Sequence, residues 1–229
     1  NKIEKNVLPS IEQALNHKKP TSSIDKETKD VFFNTQFKKI NPKNNEKEKI
    51  RFVDSIKNTL YDKMILDKTI IMMGQDIAEY GGVFKITEGF LDKFGKERIK
   101  NTPIIESGVI GTAMGLAIEG FKPIVELQFA DFVSVGFNQI VNNLAKTHYR
   151  WNQPINVTLR MPTGGGIGAG PFHSQSNESW FFHIPGIKIV YPSNPYDAKG
   201  LLCSSIDDNN PVMFFEHKAL YRSKEGNVP

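Results

Sequence analysis

From residue 50 onward, short apolar runs alternate with segments whose apolar residues recur at helical spacing. Strands are predicted at 69–73, 104–105, 123–127, 155–161, 187–191 and 211–215. Helices are predicted around 52–64, 84–94, 108–119, 131–144 and 194–206. Because this alternation is typical of βαβ units, the sequence predicts an α/β fold in which a mostly parallel sheet carries helices on both faces.

The composition and the charge distribution disfavour several classes of protein. The net charge of +4 comes with lysines that are mixed with acidic residues before residue 64, and no stripe of arginine and aromatic residues follows. Nucleic-acid binding is therefore not expected. No apolar run approaches the ~20 residues of a membrane span, and the N-terminus is polar, so neither a membrane anchor nor a signal peptide is expected. The single cysteine, Cys203, cannot form an internal disulfide, so a cytoplasmic location is expected.

The first 49 residues differ in composition from the remainder of the chain. Apolar residues recur every fourth position at Ile3, Val7, Ile11 and Leu15, which predicts a short amphipathic helix, and a break follows at 16–23. Residues 38–49 have the composition of a solvated linker. We expect residues 1–49 to form a loosely packed arm, or to lie on a partner, and residues 50–229 to form the folded domain.

Glu106 follows the apolar pair Ile104–Ile105 and precedes a helix pattern that is rich in glycine and alanine. Ligands of parallel α/β sheets bind beyond the carboxyl ends of the strands, so Glu106 is a candidate ligand-binding residue. A carboxyl group beside apolar side chains can share a proton with a ligand. The alternative is a solvated glutamate that is favoured at a helix start by the helix dipole.

A glycine-rich loop at 163–170 follows a predicted strand. It is not a phosphate-binding P-loop, because no Lys-Ser or Lys-Thr pair follows the glycines, and Pro171 disfavours a helix start there. The glycines either allow close approach of a ligand or partner chain or make the loop flexible. Directly after them, His173 is placed to move protons near neutral pH, unless it is a structural histidine.

Two further features each have a functional and a structural interpretation. Phe132 opens a helix near the carboxyl end of a predicted strand, where an aromatic ring either stacks on a flat ligand or packs in the core. Gly108, Gly111 and Gly115 form a small-residue face on one predicted helix. Because a glycine within a helix costs about 1 kcal/mol relative to alanine, this face indicates close helix packing, either inside the domain or at a subunit interface.

Seven segments of the chain occur in the same order in one protein family. They are 74–77, 102–106, 128–132, 173–175, 185–190, 197–201 and 208–211. The chain thus resembles the beta subunits of thiamine-diphosphate-dependent 2-oxo acid dehydrogenases, the decarboxylating component of the pyruvate and branched-chain complexes. The resemblance covers about residues 50–222 and implies a transketolase-like pyrimidine-binding domain. Residues 128–131 and 214–222 are more similar to the branched-chain members.

The resemblance implies a role for each candidate residue. Glu106 matches the glutamate that hydrogen-bonds the aminopyrimidine ring of thiamine diphosphate, at the ring nitrogen across from the amino group. Phe132 matches an aromatic residue beside that ring, and His173 matches a histidine that faces the reaction centre and takes part in acyl transfer to the lipoyl group. A potassium site, held mostly by main-chain carbonyls, is implied at Val157, Ser205, Ile206, Asp208 and Asn210.

The resemblance also implies partners and a larger protein. These are an alpha-type domain that holds the diphosphate and Mg²⁺, a lipoyl-bearing acyltransferase, and a homo- or hetero-oligomer such as a heterotetramer. The chain has no Gly-Asp-Gly…Asn metal motif, and the family's C-terminal domain would follow Arg222. We therefore expect a portion of an alpha–beta fusion, which supplies half a cofactor site and does not turn over substrate alone.

Two other functions fit the same pattern. A transketolase or a deoxyxylulose-phosphate synthase would keep the fold and the cofactor but act on sugar phosphates. The segments 173–175 and 208–211 disfavour that alternative. A non-catalytic module that dimerises through the glycine face is the second alternative.

Overall fold

The computed structural model describes residues 2–36, 41–42 and 46–229. The chain divides into two compact units, Asn1–Asp30 and Val31–Pro229. The first contains helices α1 (Lys2–Asn16) and α2 (Ile24–Asp30), and the predicted amphipathic helix is confirmed as α1. Its apolar residues are all exposed within this unit. Half of the predicted linker 38–49, residues 38–40 and 43–45, lies outside the described residues, and its last two residues, Glu48 and Lys49, belong to a strand.

The second unit is built on a six-stranded sheet with the strand order β3-β2-β4-β5-β7-β6. The strands are β2 (Ile70–Gly74), β3 (Ile99–Asn101), β4 (Lys122–Glu126), β5 (Thr158–Thr163), β6 (Lys188–Val190) and β7 (Val212–His217). Every neighbouring pair is parallel. The predicted parallel α/β fold is thus confirmed, and all carboxyl ends of the strands meet at one edge of the sheet.

Helices cover both faces of this sheet, as predicted. Helices α3 (Phe52–Leu66) and α7 (Pro195–Asp207) pack in one apolar cluster, and helices α5 (Glu106–Ile118) and α6 (Ala145–Trp151) pack in the other. Successive strand residues alternate between the clusters: in β7, Phe214 belongs to the first, whereas Met213 and Phe215 belong to the second. Because side chains on both faces are buried, the strands read as nearly continuous apolar runs.

Residues before and after the sheet also belong to this unit. Strand β1 (Glu48–Arg51) pairs antiparallel with β8 (Glu225–Val228) in a separate two-stranded sheet. Helix α8 (Leu220–Ser223) precedes β8, and the Phe33 main chain exchanges hydrogen bonds with the Asn210 side chain. The compact unit therefore starts at Val31, ahead of residue 50, where the sequence pattern becomes regular.

The predicted strand at 104–105 is wrong. The strand is β3, which ends at Asn101, three residues before Ile104, and its Ile99 is buried opposite Met72. The ladder ends when the Thr102 N–H donates to the Gly74 carbonyl, because Pro103 has no N–H with which to continue it. Ile104 is 84% exposed, so the apolar pair does not mark a buried segment.

Two predicted helices take a different form. Only Phe90–Phe94 (α4) is helical in the predicted helix 84–94, because Gly89 before it adopts a positive φ of 83°. The helix predicted from 131 starts as a 3₁₀ turn at Ala130–Gly136 and continues through a π-helical segment, Gln139–Leu144, into α6. Asp131 does not cap it, since its carboxylate accepts hydrogen bonds from a distant loop.

A buried ionic network ties the three central strands together. The Arg160 guanidinium on β5 donates to Glu126 on β4 (2.7 Å) and to both carboxylate oxygens of Glu216 on β7 (2.8 and 2.9 Å). Tyr221 also donates to Glu216 (2.6 Å). Burial raises the pKa of Glu126. Burial and the negative charge of Glu216 both raise the pKa of Tyr221. One guanidinium therefore compensates two buried carboxylates.

We expect Arg160→Met to lower the free energy of unfolding by about 3–5 kcal/mol, because it leaves both carboxylates buried without a counter-charge. Urea unfolding followed by circular dichroism measures this loss. Arg51→Met is the control, since the Arg51–Asp54 ion pair is exposed and its removal should change stability little. Equal losses in the two variants would contradict the role of Arg160.

Candidate active site at the carboxyl edge of the sheet

Glu106 is the first residue of α5, just beyond the carboxyl end of β3. Its side chain is buried, with 6% of the residue exposed, and Gln75, which follows β2, donates a hydrogen bond to Oε1 (3.2 Å). None of the described residues donates to Oε2. The first turn of the helix favours a carboxylate there. One oxygen of a positioned carboxylate is thus available to a ligand at this edge.

Phe132 and His173 lie together beyond the neighbouring strands β4 and β5. Their ring centroids are 5.5 Å apart in an edge-to-face arrangement, and the imidazole also meets Phe129 edge-on at 4.6 Å. The His173 Nδ1 is buried and has no hydrogen-bond partner among the described residues. An imidazole held by aromatic rings with one unused nitrogen is suited to exchanging a proton with a bound molecule.

Asp131 connects the loop of His173 to the segment that carries Phe132. Its Oδ1 accepts hydrogen bonds from the main-chain N–H groups of Ser174 (3.2 Å) and Gln175 (3.1 Å). Nearby, the Asn177 side chain donates to the Ala130 carbonyl (2.8 Å). The loop therefore has a defined position over the 3₁₀ turn. Asp131 Oδ2 is buried and unpartnered among the described residues.

Lys218 is a site residue that sequence reasoning missed. It follows β7, is only 4% exposed, and its Nζ has no hydrogen-bond partner in the part of the chain that the structure describes. The ammonium lies 5.3 Å from the Phe129 ring centroid. Burial lowers the pKa of Lys218 below its ordinary value, and the Asp131 charge opposes this shift. The residues beside it, His217 and Ala219, form no sequence motif that would indicate a site. Lys218 reaches the carboxyl edge only because β7 lies in the folded sheet.

The glycine loop packs on the chain that follows β7. Gly164 has a φ of 76°, and a Cβ there would lie 2.4 Å from the His217 Nε2. A Cβ on Gly165 would meet nothing within 4 Å. Close approach within the chain thus explains Gly164, whereas contact with a ligand or partner stays a prediction for the rest of the loop.

The five residues of the implied potassium site also lie together, but at the amino edge of the sheet. The main-chain carbonyls of Val157, Ser205 and Ile206 each accept at least one hydrogen bond from the chain. Asp208 Oδ1 accepts from the Asn210 side chain (2.8 Å), and Oδ2 pairs with the Lys188 ammonium (2.5 Å). The cluster is therefore separate from Glu106, Phe132 and His173.

The glycine face of α5 is partly exposed. Gly108 and Gly115 face outward and Gly111 lies near Gln139, whereas Ala113 and Ala117 are buried in the core. Large apolar side chains are exposed around the same edge of the sheet: Ile104, Ile105, Val135, Phe172 and Phe182. Exposed apolar groups at this density are typical of surfaces that bind another protein.

Two structural features are absent from residues 2–36, 41–42 and 46–229. No group of three or more His, Cys, Asp or Glu side chains is arranged to bind a metal ion in those ranges. Within the same residues, none of the helices combines the length and the apolar character needed to cross a bilayer.

Comparison with known proteins decides the family. Residues 48–224 match the family described as transketolase, pyrimidine binding domain. The chain belongs to this family. It is 46% identical over 182 residues to the 2-oxoisovalerate dehydrogenase subunit beta of Bacillus subtilis (strain 168), a match that covers 78% of this chain and 55% of the relative. The resemblance to 2-oxo acid dehydrogenase beta subunits is thereby confirmed.

Other relatives agree. The mitochondrial 2-oxoisovalerate dehydrogenase subunit beta of Dictyostelium discoideum is 45% identical over 187 residues, covering 80% of this chain and 50% of the relative. The pyruvate dehydrogenase E1 component subunit beta of Staphylococcus epidermidis (strain RP62A) is 42% identical over 179 residues, covering 77% and 55%. The chain spans about half the length of the curated relatives that it matches.

A solved structure supports the fold. A chain described as split gene transketolase, inactive beta4 tetramer, superimposes with a TM-score of 0.59 at 19% identity, covering 72% of this chain and 51% of that chain. At this identity the likeness bears on the fold alone.

Proposed function

We propose that the chain supplies the pyrimidine-binding half of a thiamine diphosphate site in the decarboxylating component of a 2-oxo acid dehydrogenase. The observation that carries the proposal is Glu106, a buried carboxylate at a helix start whose Oε2 receives no hydrogen bond from the described residues. When bound, thiamine diphosphate supplies the nucleophilic carbon and the electron sink for loss of CO₂ from a 2-oxo acid. Oxidative decarboxylation with acyl transfer to a lipoyl-lysine carrier is the proposed reaction.

Three residues of the chain would serve this reaction. Glu106 holds a proton at the pyrimidine ring nitrogen across from the amino group. Phe132, half-buried at the same edge, packs against the pyrimidine ring. His173 moves protons at the reaction centre during acyl transfer, and its unpartnered Nδ1 supports this role.

The site needs a second domain. No acidic cluster for a divalent metal exists among the described residues, so we assign Mg²⁺ and the diphosphate to an alpha-type partner domain. The exposed apolar side chains at the carboxyl edge support burial against such a partner in a homo- or hetero-oligomer. A lipoyl-bearing acyltransferase is the proposed acceptor of the acyl group, and the chain alone is expected to be inactive.

The proposed substrate is a branched-chain 2-oxo acid such as 2-oxoisovalerate. Relatives with 2-oxoisovalerate and with pyruvate in their names are similarly close, at 46% and 42% identity, so the preference depends on residues 128–131 and 214–222. Pyruvate, or a sugar phosphate as in transketolase, is the alternative that the assay below distinguishes.

We expect the chain, assembled with its alpha-type domain, to decarboxylate 2-oxo acids in the presence of an artificial electron acceptor. Glu106→Gln should lower turnover by about 100-fold or more while the fold is kept, because an amide cannot exchange the proton. Turnover of 2-oxoisovalerate, pyruvate and sugar phosphates is measured in parallel. Activity on sugar phosphates alone, or wild-type turnover in the Glu106 variant, would contradict the proposal.

The role of His173 gives a separate prediction. His173→Ala should reduce acyl transfer to a lipoyl carrier more than it reduces decarboxylation, because the imidazole is assigned to the transfer step. The two rates are measured on the assembled enzyme, with the artificial acceptor for decarboxylation and lipoylated carrier for transfer. Equal losses in both assays would argue against this division.

We also propose that the cluster at the amino edge binds K⁺. The main-chain carbonyls of Val157 and Ile206 each accept one hydrogen bond from the described residues and keep a lone pair for a cation, whereas the Ser205 carbonyl accepts two and would exchange one of them for the ion. At fixed ionic strength, KCl should raise the melting temperature above its value in tetramethylammonium chloride, and Asp208→Asn should weaken this difference. Identical melting temperatures in the two salts would refute a potassium site.

A further inference from the structure

Among the polar groups that are buried without hydrogen-bond partners in the described part of the chain, three lie around Phe129 at the carboxyl edge. They are Lys218 Nζ, Asp131 Oδ2 and His173 Nδ1. Two of the three carry opposite charges, and each such group costs free energy unless its charge is compensated. Their common neighbourhood around Phe129 therefore requires a functional explanation.

Two chains of contacts lead from Lys218 to His173. In the first, the Lys218 ammonium lies 5.3 Å from the Phe129 ring centroid, and the same ring packs edge-on against the imidazole at 4.6 Å. In the second, the buried and unpartnered Oδ2 of Asp131 belongs to the residue two positions after Phe129, the ring that the Lys218 ammonium faces, and Asp131 Oδ1 accepts the N–H groups of Ser174 and Gln175. Those two residues directly follow His173.

We propose that Lys218 is a positioning residue, whose buried positive charge keeps the Asp131 side chain in place so that Asp131 holds the loop of His173. Without Lys218, the Asp131 carboxylate would be buried with no counter-charge, and it would turn toward water. This movement weakens its hold on Ser174 and Gln175. The inference rests on the proposed role of His173 in acyl transfer.

Charge balance can be tested apart from packing. Lys218→Met keeps the length of the side chain and removes the charge. Asp131→Asn removes the opposite charge but keeps an amide oxygen that accepts the same two hydrogen bonds. Lys63→Met is the matched control, because Lys63 is a largely covered lysine paired with Asp207 on another part of the fold.

Hydrogen exchange of the Ser174 and Gln175 amides is the first measurement, made on the chain itself. Lys218→Met should lose this protection and move the His173 ring-proton resonances toward those of an exposed histidine. The double variant Lys218→Met/Asp131→Asn should regain both signals, whereas Lys63→Met should leave them unchanged. Unchanged protection in Lys218→Met, or a double variant as perturbed as the single one, would overturn the proposal.

The same variants are then assayed for acyl transfer in the assembled enzyme. Lys218→Met should lower transfer by about 10- to 100-fold, the range expected for a small misplacement of a catalytic group, and the double variant should recover most of it. If Lys218→Met does not fold, the double variant decides: wild-type protection supports the proposal, and failure to fold overturns it. Amide protection needs no cofactor or substrate, so it decides the inference even where the assay rejects 2-oxo acids.

Discussion

The shared guanidinium of Arg160 is the interaction on which the site depends. It holds Glu126 and Glu216 in register across β4, β5 and β7, and the chain leaving each of these strands carries part of the carboxyl edge. Asp131 and Phe132 follow β4, His173 follows β5, and Lys218 follows β7. Because the network is fully buried, β4, β5 and β7 cannot shift independently. The side chains that follow these strands therefore keep their relative positions.

The carboxyl edge contains buried polar groups that receive no hydrogen bond from the described residues. His173 Nδ1, Asp131 Oδ2 and Lys218 Nζ have no hydrogen-bond partners among the described residues, whereas the cluster at the amino edge is extensively hydrogen-bonded through Asp208 and Asn210. A protein keeps such unsatisfied groups at a cost in stability. The contrast favours ligand chemistry at the carboxyl edge and a structural role at the amino edge.

Much of this architecture could be predicted from the sequence, and the failures have local causes. Continuous apolar runs identified β2, β4, β5, β6 and β7, because strands buried on both faces carry little else. The pair Ile104–Ile105 misled, since two exposed apolar residues in a row give the same local pattern as a short buried strand. Glu106, Phe132 and His173 each follow a strand. The rule that ligands bind beyond the carboxyl ends of parallel strands therefore identified them as candidates. Lys218 and the new role of Asp131 depend on contacts between distant segments, which no local pattern records.

The most direct measurement is an experimental structure of the chain assembled with the proposed alpha-type domain and thiamine diphosphate. The account predicts that the Glu106 carboxylate lies within hydrogen-bond distance of the pyrimidine nitrogen across from the amino group, with Phe132 against the ring and His173 facing the reacting carbon. A pyrimidine bound away from Glu106, or a Glu106 side chain turned into solvent, would contradict it.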